Sequence, residues 1–141
     1  MRRLYLAAIA YATLGLAGGL FYREITHARD FTGNTQLAVV HTHLLALGLL
    51  VMLIVLALDA TIGLSGSRWF SWFFTTYNVG LLITAAAMTW HGLLQVFGQD
   101  AGPAIAGIAG LGHILLTIGI GCLLACLDKP LRTRLTATKE N

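Results

Sequence analysis

Charge is what this sequence has least of. Only 11% of its 141 residues are Asp, Glu, Lys or Arg, whereas 57% are hydrophobic. A soluble domain of this size needs a far more polar surface, so water is excluded as the solvent of most of the chain. No carboxylate falls inside a long apolar run, since Glu24 and Asp59 stand only at the ends of two of them. An acidic proton channel across the membrane is therefore absent from the pattern. Cysteine is equally sparse: Cys122 and Cys126 make no disulfide framework and read as small packing residues. Soluble linkers, repeats and low-complexity tracts are missing too.

What remains is four apolar runs, about Leu4 to Tyr22, Leu37 to Leu58, Trp69 to Phe97 and Pro103 to Leu127. Crossing a hydrocarbon core takes roughly 20 residues at about 1.5 Å of rise each, and each run is near that length. The sequence predicts an all-α integral membrane bundle of four helices forming one domain over residues 1–141. Arg2 and Arg3 precede the first run in the manner of a signal peptide. That run ends at Tyr22-Arg23-Glu24 rather than at a small-residue cleavage site, so a retained helix is expected.

The net charge is +3, and its placement matters more than its sum. Arg2, Arg3, Arg68, Lys129, Arg132, Arg134 and Lys139 fall on one side of a four-crossing chain, with only Arg23 and Arg29 on the other. The positive-inside rule then predicts that both termini are cytoplasmic. The basic tail reads as a topology signal and a lipid contact, not as a nucleic-acid surface. The loop from Arg23 to Gln36 is the longest and the most polar, and the loop from Gly98 to Gly102 is very short, which requires antiparallel neighbours. Gly15 and Gly19 in the first helix, and the small residues of the fourth, allow close helix approach.

Four of the five histidines lie inside these runs: His41 and His43 in the second, His91 in the third and His113 in the fourth. Antiparallel arithmetic puts them roughly 6, 9, 9 and 15 Å below the outer ends of their helices. Titratable groups are rare in hydrocarbon, and gathering four in the outer half of a membrane points to a site. A single histidine can equally serve as a hydrogen-bonded contact between helices. Two positions along a helix turn a side chain by roughly 200°, so His41 and His43 face nearly opposite ways and serve two different sites, or one site and one contact.

Planar heme iron takes axial imidazoles and an apolar slot, which a helix bundle supplies; a structural zinc ion wants four clustered ligands. Arg23 and Arg29, the two outer cations, are candidates to pair with heme propionates, and His27 is a solvated loop residue with the same option. Met52 and Met88 are candidate ligands or apolar filler. Trp69 and Trp72 suit an interface and Trp90 an interface or a pocket wall. Tyr77 and Asn78 are polar residues of the third helix with no assigned role.

The segments Phe21-Tyr22-Arg23-Glu24, Thr35 to Gly48 (TQLAVVHTHLLALG) and Ala109-Gly110-Leu111-Gly112-His113 resemble a small four-helix bacterial membrane family catalogued as a domain of unknown function. The His-x-His pair is also distantly similar to the pair that heme-copper oxidase subunit I, and related nitric-oxide-response membrane proteins, place on a helix between two metal centres. That likeness matches this chain to one of three four-helix arcs. It implies a homotrimer of twelve helices with heme b between protomers. His41 and His43 would be first ligands, and His91 and His113 additional ligands or hydrogen-bond partners. By the same likeness His91 occupies the arc position that supplies copper ligands in the oxidases, but the adjacent histidine pair and cross-linking tyrosine are lacking here.

The expectation is a b-type heme protein, possible oxidoreductase, for electron transfer or for binding oxygen or nitric oxide, with quinol or another electron carrier as partner. The alternative is a membrane protein that binds or transports copper or zinc through the same four histidines.

Overall fold

The structure, a computed structural model, describes residues 1–139. The side chains of Lys129, Arg134 and Lys139, which enter the charge asymmetry above, lie outside the described residues. The chain is all-α, with four helices long and apolar enough to cross a membrane. They are α1 (Arg2–Ala28), α2 (Leu37–Ile62), α3 (Arg68–Val96) and α4 (Pro103–Lys139).

Three helices run past the ends set by hydropathy alone. α1 continues through Arg23 and His27 to Ala28, so both residues sit on a helix and the connecting loop begins only at Arg29. Tyr22, Arg23, Glu24 and Ile25 are sound helix formers, and nothing polar in them stops propagation. α2 ends at Ile62, where Gly63 adopts the left-handed conformation that closes the helix (φ 70°). α3 starts behind Ser67, whose hydroxyl accepts from the Trp69 amide at 3.2 Å. α4 continues beyond Leu127, through Pro130.

Each helix packs mainly on its neighbour in sequence: α1 on α2, α2 on α3 and, most extensively, α3 on α4. In its most apolar stretch α3 is 39% buried but α4 only 11%, so α3 is the centre of the row and α4 its rim. Close approach uses glycines on both seams. A Cβ on Gly80 of α3 would lie 2.7 Å from the Gly112 carbonyl oxygen of α4, and one on Gly15 of α1 would meet the Leu45 side chain at 2.7 Å. Backbones this close gain dispersion contacts that lipid tails cannot match. The row stays open between α2 and α4, with α3 as the floor.

The core gathers toward the end that carries the termini. Leu4 and Tyr11 of α1, Met52 and Val55 of α2, Leu64 of the connecting turn, and Phe73, Tyr77 and Leu81 of α3 are all buried there. Asp59, also buried, accepts from the Met1 amine at 3.1 Å and from the Ser65 amide at 2.7 Å, which ties α1, α2 and the turn together. Large apolar side chains such as Leu16, Leu20, Ile54, Ile114 and Ile118 point away from the chain, as a lipid-facing surface requires.

Within α2, residues Leu44–Leu50 form a π-helical stretch directly after the His-x-His pair. The wider turn puts Gly48, with no side chain, against the Tyr11 ring, and the Tyr77 hydroxyl donates to the Leu47 carbonyl at 2.9 Å. In a medium without water, a side-chain donor is what satisfies a carbonyl that a distorted helix leaves available. Tyr11 in turn donates to Asn78 Oδ1 at 2.7 Å, so the polar residues of α3 brace α1 and α2.

Candidate functional site

The entry of α2 is fixed first, because it carries two histidines. Thr35 Oγ1 donates to the Gly92 carbonyl at 2.8 Å and accepts from the Leu37 amide, while the Gln36 amide donates to Gln95 Oε1 at 2.8 Å. These bonds supply partners for the exposed amides at the start of α2 and pin it to the last turns of α3. Gly92 makes the approach possible, since a Cβ there would collide with the Leu37 amide nitrogen.

His43 then faces α3 and α4. Its Nδ1 lies 2.9 Å from the Val39 carbonyl oxygen. A carbonyl can only accept, so Nδ1 carries a proton, and in the neutral ring the lone pair is then on Nε2. His113 on α4 repeats the arrangement, with Nδ1 2.8 Å from the Ala109 carbonyl oxygen. Both rings are therefore oriented by their own helix and present a free Nε2, the state in which imidazole binds a metal.

His43, His91 and His113 border one cavity of about 330 Å³, together with Met88, Gln36 and apolar residues of α4. One histidine comes from each of α2, α3 and α4, and the cavity opens where the row is open. Among the described residues no three His, Cys, Asp or Glu side chains gather closely enough to hold an ion, so the three rings border a space instead of converging on a point.

His41 is not part of this cavity. It turns to the opposite side of α2, against α1, where a Cβ on Gly19 would sit 3.7 Å from its Cγ. The ring is half-buried, and its Nδ1 is shielded without a hydrogen-bond partner. His41 and His43 thus face opposite ways, as their spacing predicts, with three rings around the cavity and one behind it. The helical twist between positions 41 and 43 is the reason.

The outer cations stand apart from the cavity. Arg29 lies over the Phe97 ring at 4.3 Å, joining the end of α1 to the end of α3, and Arg23 and His27 border a separate depression at the start of the loop. Met52 is core, whereas Met88 borders the histidine cavity. Trp69, Trp72 and Trp90 are exposed on the lipid-facing side, and Cys126 directs its thiol at the Leu64 carbonyl, 3.6 Å away.

Sequence reasoning did not single out Thr35, Gln36 or Gln95. The Thr-Gln pair just before an apolar run is a start signal that was available. The π-helical stretch left no signal in the hydropathy pattern.

No curated protein and no solved structure matches the chain. A family model described as Protein of unknown function (DUF2871) matches residues 1–130. With these residues making up most of the chain, the protein belongs to that family.

Proposed function

We propose that this chain is a membrane b-type heme protein, related to heme-copper oxidase subunit I, that carries electrons or binds a diatomic gas. The observation that carries the reading is the donor set of the cavity: two imidazoles whose tautomer is fixed by backbone carbonyls, a third from α3, and apolar walls. Axial ligation needs one or two such nitrogens on opposite sides of a plane, which suits rings that border a space. When bound, heme supplies a one-electron couple or, with one axial position open, a place for a small gas.

The cavity is small and open-sided for a macrocycle, so the group would rest against a second copy of the chain. His43 of one copy and His41 of the next would be the ligands, because these two rings look in opposite directions from one helix. His41 Nδ1 is shielded on the α1 side, so Nε2 would be its ligating nitrogen. Val39 and Ala109 hold the His43 and His113 rings in place, and His91 and His113 would touch the edge of the bound group. Arg29 and Arg23 would reach only parts of it that extend past the helix ends. The row of four serially packed helices suits one arc of a twelve-helix homotrimer in a bacterial inner membrane, with cytoplasmic termini.

The test is the visible spectrum of purified protein, oxidised and dithionite-reduced, with a pyridine extract to identify heme. A Soret band that disappears in His43→Ala and in His41→Ala is expected. Colourless protein after expression with excess heme would overturn the reading. One observation favours a second reading: the Met88 thioether borders the same cavity, and sulfur with imidazole suits copper. Elemental analysis of the colourless protein would then show copper or zinc.

A further inference from the structure

Beyond the histidine cavity, the open side of the row holds a second pocket, of about 340 Å³, bordered by Leu47, Tyr77, His113, Leu116, Thr117 and Ile120. His113 borders both, so the two are successive chambers of one groove between α2 and α4. The lower chamber faces lipid: His113, Thr117 and Ile120 are exposed, and its remaining walls are Leu47, Leu116 and Tyr77. Anything that enters it arrives through the membrane.

Its polar atoms have one character. The Tyr77 hydroxyl spends its proton on the Leu47 carbonyl at 2.9 Å, and the Thr117 hydroxyl spends its own on the His113 carbonyl at 2.9 Å. His113 donates through Nδ1 to Ala109, which leaves Nε2 as a lone pair. The chamber thus offers three acceptors and no spare donor. A membrane-dissolved molecule that satisfies them must be apolar in body and carry hydroxyl hydrogens at its polar end.

We infer that this chamber binds the ring of a membrane quinol, with the hydroxyls donating to His113 Nε2 and to the Tyr77 or Thr117 oxygen. A quinone of the same shape has only carbonyls and would set acceptor against acceptor, so the pocket selects the reduced form. The inference rests on the redox reading for its meaning, as the source of electrons, but its geometry is independent of heme. In this arrangement the one remaining ring nitrogen of His113 serves the quinol, and the heme ligands are His43 and His41 alone.

The experiment is equilibrium binding, under anaerobic conditions and in mild detergent, of a short-tailed benzoquinol, its quinone and its dimethyl ether to the full-length protein. The quinol is expected to bind roughly tenfold or more tightly than either of the others, as the loss of one or two hydrogen bonds implies. Leu116→Trp, which fills the chamber, is expected to abolish quinol binding while leaving heme content unchanged. His113→Phe is expected to remove the preference for the reduced form. Equal binding of the three compounds, or quinol binding undiminished in Leu116→Trp, overturns the inference. Coloured protein without the preference fails this inference alone, and colourless protein that keeps it fails only the heme reading.

Discussion

The two ends of the molecule are built on different principles. At the end carrying the termini, aromatic and aliphatic side chains close on one another: Phe70, Phe73 and Tyr77 form a run of ring contacts with centroids 5.4 to 6.2 Å apart, and Met52 and Leu64 fill the space beside them. At the histidine end the helices are held by a few directed bonds from Thr35 and Gln36, and what they enclose is space. In lipid, where transfer from water no longer drives helices together, packing must be supplied somewhere. The aromatic packing sits beside a larger depression of about 720 Å³ at the 62–67 turn, so the ends differ in what joins the helices more than in how much space they leave.

The sharpest way to break this comparison is at His43. Replacing it by Ala is expected to lower heme content per folded molecule by more than roughly tenfold, since losing even a residue that hydrogen-bonds to a metal's ligand costs on the order of 10–100-fold. The thermal midpoint of the protein in its colourless form should hardly move. Pyridine extraction alongside thermal unfolding reads both quantities. If stability fell instead, the histidine end would be a structural element.

The opposite test is Phe73→Ala, which empties a fully buried site at the packed end. It should cost about 3 kcal/mol of stability by cavity formation, while heme per folded molecule below the new midpoint stays constant. Denaturation in detergent, followed at the Soret band and by circular dichroism, separates the two. Loss of heme from protein that remains folded would show that the ends are coupled.

Smaller effects locate the border between the ends. Tyr77→Phe removes the donor to the Leu47 carbonyl and is expected to cost about 1 kcal/mol, because that carbonyl has no water to replace the hydroxyl. An unchanged unfolding midpoint would mean that the π-helical stretch repairs itself. Arg29→Ala removes the cation over Phe97 and should cost about 0.5 kcal/mol at this exposed position. A larger loss, or a shift in the reduced band, would give Arg29 a place in the binding site.

Much of this architecture was legible in the sequence because hydrophobicity along a membrane chain is a nearly one-dimensional signal. Four runs gave four helices, and the glycines of the first and fourth helices marked seams: Gly15 meets Leu45, and Gly112 meets Gly80 and Thr84. Gly107, Gly110 and Gly121 have open space where a side chain would go, so the small-residue pattern overstated the seam of α4 within one chain. Rise per residue placed the histidines at comparable depths, but depth says nothing of azimuth. The two-residue spacing already set His41 opposite His43; which of the two faces α3 and α4, and which lies on Gly18 and Gly19 of α1, is decided by packing. Polar residues with no reading of their own, Tyr77 and Asn78, were illegible for a related reason. Their partners, the Leu47 carbonyl and Tyr11, are distant in sequence and one is a backbone atom in a distorted turn.

The serial packing of the row bears on how the protein is made. α2 and α4, as they leave the ribosome and enter the bilayer, each find their main partner already in place, in the helix synthesised just before. α1 and α3 wait only for the helix translated next, so the contacts close between neighbouring stretches of chain, the kind that form fastest. The cavity is completed only when α4, the last helix, settles on α3. Loading of any ligand held by its histidines is then the closing event of biogenesis, timed by the order of translation.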